Sequence, residues 1–169
     1  MPRDFKNYLT SKLGESLVVA ELARRGIVAT AFSGSVPDID ILAYKDGATL
    51  PLQVKTWRGG GVQFNASRFL EISQQGNRQS VIAERELKGT LTYVFVRVAE
   101  DTRSDRYFVL DQLQLRSIVH DNYQGFLDKH DGVRPRNPQT THVAVYEPDL
   151  LSYEDRWDGI LSAMSVSLS

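Results

Sequence analysis

The stretch Pro37-Asp38-Ile39-Asp40-Ile41-Leu42-Ala43-Tyr44, followed by Lys45-Asp46-Gly47 and then Leu50-Pro51-Leu52-Gln53-Val54-Lys55-Thr56, decides the fold. Its two apolar runs are short and flanked by turn residues, so they read as strands joined at Lys45-Asp46-Gly47. Alternate residues of a strand share a face. Gln53 and Lys55 therefore point one way, and Leu52 and Val54 the other. The same rule groups Asp38 with Asp40, opposite Ile39 and Ile41. Pro51 belongs near the start of its strand or at an edge, because it has no N–H for a ladder.

On the N-terminal side, residues 5–26 read as a helix. Leu9, Leu13, Leu17 and Ala20 make an apolar stripe, widened by Val18, Val19 and Leu22. Arg24-Arg25-Gly26 supplies a basic last turn and a C-terminal glycine. Glu15 has Val18, Val19 and Leu22 as its i+3, i+4 and i+7 neighbours, so it lies on or beside that stripe. A carboxylate near a buried face needs an ionic partner or a metal. Residues 27–32 are β-prone, and Ser33-Gly34-Ser35-Val36-Pro37 is a loop by composition.

On the C-terminal side, Gly59-Gly60-Gly61 is a break and residues 65–88 are mixed and partly helical. Leu91–Val98 is the strongest strand, apolar on both faces and so interior. Arg106–Leu110 is a further strand. Asp111 opens a helix carrying Leu113, Leu115, Ile118 and Val119. Residues 131–141 are a polar loop, Val143–Tyr146 a last short strand, and Asp149 to about Ala163 a closing helix with Trp157 as a packing residue. The order predicts an α/β fold, a mixed sheet with helices packed on it. The expected organisation is a single domain over 1–169, with its chemistry in 12–56 and a helical elaboration over about 111–165.

The 169 residues can bury a core without staples. There is no cysteine, which excludes disulfides, thiolate zinc sites and cysteine nucleophiles. No apolar h-region follows Met1 and no run is long enough to span a membrane, so a cytoplasmic protein is expected. The net charge of −1 argues against a general DNA-coating protein. Residues 1–100 carry a net +3 and residues 101–169 a net −4, so a polyanion-facing surface belongs in the first part. His120, His130 and His142 lack ligand spacing and read as surface or core residues.

Glu15, Asp40, Gln53 and Lys55 form a set with a chemistry. Mg²⁺ and Mn²⁺ favour oxygen ligands, and Mg²⁺ typically takes only one or two carboxylates while keeping several waters. Asp40 would be the main carboxylate ligand, Gln53 would offer its side-chain carbonyl, and Glu15 a second carboxylate, directly or through water. Lys55 would position or help deprotonate the attacking water and shield phosphate charge. Arg58, before three glycines, suits a phosphate contact.

These residues resemble a family. Gly14-Glu15 in the first helix, Pro37–Ala43, and Leu52-Gln53-Val54-Lys55-Thr56 resemble the PD-(D/E)XK nuclease superfamily, and are similar within it to archaeal Holliday-junction resolvases. The resemblance covers residues 12–56. It implies a restriction-endonuclease-like central mixed β-sheet flanked by helices. It makes Asp40, rather than Asp38, the metal aspartate, and places Ser33 and Ser35 on a nucleic-acid-binding loop. It implies a metal-dependent DNA endonuclease using Mg²⁺ or Mn²⁺, leaving a 5′-phosphate and working as a homodimer. One position departs: Gln53 stands where an acid is usual, a variant found in Mrr-type restriction enzymes and in the endonuclease subunit of heteromeric transposases. The rival expectation is a non-catalytic binding or immunity-type module with a protein partner. The low net charge, Gln53 and the acidic region after residue 100 favour it.

Overall fold

The computed structural model describes residues 2–89, 91–101, 104–134 and 137–166, and for residues 3, 33–35 and 166 the backbone alone. The chain runs through helix α1 (Arg3–Arg24) and strands β1 (Val28–Val36), β2 (Ile39–Lys45), β3 (Ala48–Trp57), β4 (Val62–Asn65), β5 (Leu70–Gln75), β6 (Arg78–Glu84), β7 (Thr92–Arg97) and β8 (Arg106–Asp111). It continues through α2 (Gln112–Lys129), β9 (His142–Val145), α3 (Glu147–Leu150) and α4 (Asp158–Val166). Two compact units divide these elements. One comprises Met1–Gly60, Thr90–Asp111 and Leu150–Ser169; the other comprises Gly61–Gly89 and Gln112–Asp149.

The first unit is a five-stranded mixed sheet in the order β1-β2-β3-β7-β8. β3 and β7 are parallel and every other neighbour pair is antiparallel. A parallel pair needs a long crossover; here the chain between β3 and β7 contains β4, β5 and β6. β7 has neighbours on both sides and its residues Thr92–Val96 are buried, as an all-apolar run requires. Pro51 lies just before the β3–β7 ladder begins at Leu52, so its missing N–H interrupts no pairing with β7. Val18 and Leu22 of α1 and Ile160 and Met164 of α4 share one core with Ile41, Leu50, Leu52, Val54, Val94 and Val96 of the sheet.

Four expectations change. The stripe of α1 that is buried is Gly14, Glu15, Val18 and Leu22, whereas Leu9 and Leu13 are exposed and so is Ala20. The loop expected over 33–37 is instead the end of β1, which rejoins β2 at Val36↔Ile39 after a register irregularity beyond Ala31. A bulge absorbs the extra residues and lets a glycine- and serine-rich segment pair. The turn is at Pro37-Asp38, where Asp38 has φ 64. Asp38 therefore belongs to the turn, not to the strand. The closing helix is broken into α3, a 3₁₀ turn at Leu151–Tyr153, and α4. The break has a cause: Asp155 takes φ 51, its N–H donates to Tyr107 O at 2.9 Å, and Arg106 grips Glu154 with two 2.6 Å bonds.

The second unit contains the fourth change. Residues 65–88 hold one 3₁₀ turn, Ala66–Arg68, started by the Asn65 side chain accepting from Ser67 N–H, and otherwise form strands. β5 and β6 are an antiparallel hairpin turning at Gly76 with φ 60. Polar residues of mixed propensity hid this pairing from a helical reading. α2 buries Leu115, Val119, Tyr123 and Leu127 at four-residue spacing, while Leu113 is exposed. β4 pairs with β9. Among the described residues, no helix is long and apolar enough to cross a membrane.

Candidate functional site

The site forms where two strands part. The β2–β3 ladder runs from Lys45↔Ala48 to Ile41↔Leu52 and stops there, while β3 continues against β7 as far as Trp57. Asp40 and Gln53 are the next residues at that fork. The register puts Asp40 on the same face as Gln53 and Lys55, opposite Ile41, Leu52 and Val54. Past the end of the ladder the Val54 N–H has lost its strand partner, and the Asp40 carboxylate replaces it, Oδ2 accepting at 2.8 Å. That bond fixes Asp40 at the fork and leaves Oδ1 without a hydrogen bond among the described residues. Gln53 is buried, and Lys55 is half-buried.

Glu15 comes from α1, which packs on the opposite face of β3, the one carrying Leu52, Val54 and Thr56. Gly14 permits this. A Cβ there would meet the Thr56 hydroxyl at 1.8 Å, so only glycine lets the helix backbone settle this close to the strand. The next residue, Glu15, is thereby carried into the interior at 6% exposure. Its charge is compensated within the helix. Lys12 Nζ donates to Oε2 at 2.7 Å, and the Ser11 hydroxyl approaches Oε1 at 3.5 Å.

Lys12 is the ion-pair partner of Glu15. Its hydrogen bond to Glu15 raises its pKa above the ordinary lysine value, burial opposes, and the fields of Glu15 and of Asp40 add to the rise. Lys12, the ionic partner of Glu15, was not singled out from the sequence, although its i, i+3 spacing from Glu15 signalled it.

A cleft of about 760 Å³ opens between the first turns of α1 and the end of β3. Lys6, Thr10 and Leu13 line one wall and Thr56, Trp57 and Arg58 the other. Among the described residues no carboxylate lines it. Arg58, expected as a phosphate contact, thus shares a cleft with a second cation, Lys6. The side chains of Ser33 and Ser35 lie outside the described residues.

At the fork a hard cation would find one carboxylate and one amide oxygen, on Asp40 and Gln53, while Glu15 stands on α1 against the other face of β3. Among the described residues no group of three or more acidic or histidine side chains gathers that could hold a metal. The set still suits an ion that keeps most of its waters, and Oδ1 of Asp40 is available to it. Glu15 fits only if Lys12 gives way.

The chain matches no protein-family model and no curated protein sequence. It is similar in structure to the bacterial homing endonuclease I-Ssp6803I, with a TM-score of 0.54 over 96% of this chain and 97% of that one, at 12% sequence identity. The likeness extends over essentially the whole of both chains. The likeness is one of fold; this chain's own architecture is mixed α/β with a five-stranded central sheet.

Proposed function

We propose that this protein is a metal-dependent DNA endonuclease of the PD-(D/E)XK type, hydrolysing phosphodiester bonds at the β2–β3 fork. The observation that carries the reading is the sharing of one face by Asp40, Gln53 and Lys55 where the two strands part. Glu15 is held on α1 by its ion pair with Lys12. The fold likeness to a homing endonuclease supports DNA as the substrate.

Asp40, Gln53 and Glu15 would hold Mg²⁺ or Mn²⁺. Such an ion supplies Lewis acidity and a water of lowered pKa. Lys55 orients the attacking water, helps remove its proton and offsets charge growing on the phosphate. Arg58 and Lys6 bind backbone phosphates beside it. The product carries a 5′-phosphate. Cutting both strands of a duplex calls for two such sites, hence a homodimer. The absence of cysteine suits a cytoplasmic setting.

The test is a panel of branched, duplex and single-stranded DNAs and an RNA, with Mg²⁺ or Mn²⁺, run beside Lys55→Ala. Metal-dependent cutting of DNA that disappears in the folded variant is expected. Unchanged cutting in Lys55→Ala would sink the mechanism.

A second reading is a non-catalytic binding or immunity-type module. The Lys12–Glu15 ion pair favours it, because together with Gln53 it leaves the fork with little unneutralised negative charge. Calorimetry separates the two. Mn²⁺ binding that vanishes in Asp40→Ala supports the enzyme; no divalent binding together with a tight protein partner supports the module.

A further inference from the structure

In the second unit Arg134 is a buried cation with no carboxylate partner among the described residues. Arg134 follows α2 and is only 9% exposed. Its guanidinium lies between two rings, 4.8 Å from the Tyr123 centroid and 4.6 Å from that of Phe126. Nε donates to Gln79 Oε1 at 3.2 Å and Nη2 to the His142 carbonyl at 2.9 Å. Nη1 has no hydrogen-bond partner among the described residues.

All of these partners are neutral. Among the described residues, no carboxylate forms a salt bridge with Arg134. The Tyr123 hydroxyl donates to Gln79 Oε1, and burial pushes its pKa up, so the phenol stays protonated and supplies no negative charge. Gln79 is itself fixed by bonds from its amide to the carbonyls of Pro138 at 2.7 Å and Thr140 at 3.2 Å. Arginine cannot shed its proton to escape burial. A rigidly held guanidinium in this position is thus a charge waiting for an anion.

A cavity of about 360 Å³ lies against it, lined also by Gln63, Asn122, His142 and Tyr146. Asp149, on the same side of the unit, is already engaged: its Oδ2 accepts from Asn122 Nδ2 at 2.8 Å and from Tyr146 N–H at 2.7 Å. The imidazole and phenol at the rim can donate to an oxyanion and present flat faces to a base. The space matches a group of nucleotide size.

We infer that this cavity is a phosphate-binding site with Arg134 at its base. Its ligand is the phosphate of a nucleotide, either free or within a nucleic-acid strand. The site is separate from the metal-site residues and does not depend on them.

The test titrates the full chain, followed by ¹H–¹⁵N NMR, with inorganic phosphate, a deoxynucleoside 5′-monophosphate and a short oligodeoxynucleotide. Saturable shifts centred on Asn122, Arg134 and His142 are expected. Tighter binding of the mononucleotide identifies a free nucleotide as the ligand, and tighter binding of the oligonucleotide identifies strand phosphate. Because replacing a buried arginine can unfold the unit, the control is Gln63→Glu, on the exposed rim. A carboxylate there should weaken binding about tenfold or more. No saturable shift with any of the three probes, or equal affinity in Gln63→Glu, overturns the inference.

Discussion

Gly14 of α1 lies so close to Thr56 of β3 that a methyl group on residue 14 would meet the threonine hydroxyl at 1.8 Å and its Cβ at 2.8 Å. Both contacts are shorter than any packed core tolerates, and neither atom is at the end of a flexible side chain. Gly14→Ala should therefore cost about 1–3 kcal/mol or more in urea unfolding, the range of overpacked cores. Thr56→Ala in the same chain should restore part of that loss. A Gly14→Ala protein as stable as the parent would show that helix and strand do not touch here.

Asp40 has a structural duty apart from any metal. Its Oδ2 satisfies the Val54 N–H where the β2–β3 ladder ends. Asp40→Ala leaves that donor unpaired and should destabilise the protein by about 1–2 kcal/mol. Asp40→Asn keeps an acceptor oxygen and should retain most of that stability, yet lose divalent-ion binding because its charge is gone. Thermal unfolding and Mn²⁺ calorimetry on both variants separate the two duties.

Gln53 can be turned into the usual acid without changing its size. Gln53→Glu adds a negative charge beside Asp40 and should tighten Mn²⁺ binding about tenfold, with faster metal-dependent cutting. Equal or weaker Mn²⁺ affinity in calorimetry would remove Gln53 from the ligand set.

Lys12 neutralises Glu15. Lys12→Met removes that ammonium and leaves a buried carboxylate. Because Lys12 is 42% exposed, solvent screening limits the expected loss to about 1 kcal/mol at neutral pH. The lysine pKa is raised on folding, so this contribution is present below its ordinary value of 10.5 and fades as pH rises through the higher folded value. Divalent ions should bind the variant more tightly than the parent, since no cation competes for Glu15. Calorimetry at neutral pH reads the second effect and unfolding at alkaline pH the first.

Arg106 and Glu154 tie the break before α4 to β8. The Arg106 hydrogen bonds hold the Glu154 carboxyl below its ordinary value of 4.5, against a smaller opposing effect of burial. A carboxyl lowered on folding stabilises the protein above its unfolded pKa. That stability is lost as pH falls through 4.5 toward the lower folded value. Both side chains are 35% exposed, so Glu154→Gln should cost only about 0.5–1 kcal/mol at pH 7, and progressively less on acidification below that point. Chemical unfolding at neutral and acid pH measures the difference.

What could be read from residues alone was what local geometry dictates. Alternation along a strand assigned Gln53 and Lys55 to one face, because the pleat has a period of two whatever the strand packs on, and the pairing register then brought Asp40 to that face. The apolar run of β7 marked an interior strand for the same reason. The buried face of α1 was not legible in this way. Leu9, Leu13 and Leu17 compete with Gly14, Val18 and Leu22 as stripes on the same cylinder, and a helix pattern alone does not say which meets the sheet. The contact between Gly14 and Thr56 decides it, turning Glu15 inward and leaving Leu9 and Leu13 on the cleft. The fork was equally hidden. Where a ladder stops depends on the neighbour each strand finds: β3 pairs with β2 only as far as Leu52 and with β7, 40 residues further along the chain, from Leu52 to Trp57. The pairing of Asp40 with Val54 N–H follows from the fork; that of Lys12 with Glu15 is local, an i, i+3 pair on one helix. Residue spacing thus determined the candidate side chains; long-range packing decided how they are held and what already neutralises them.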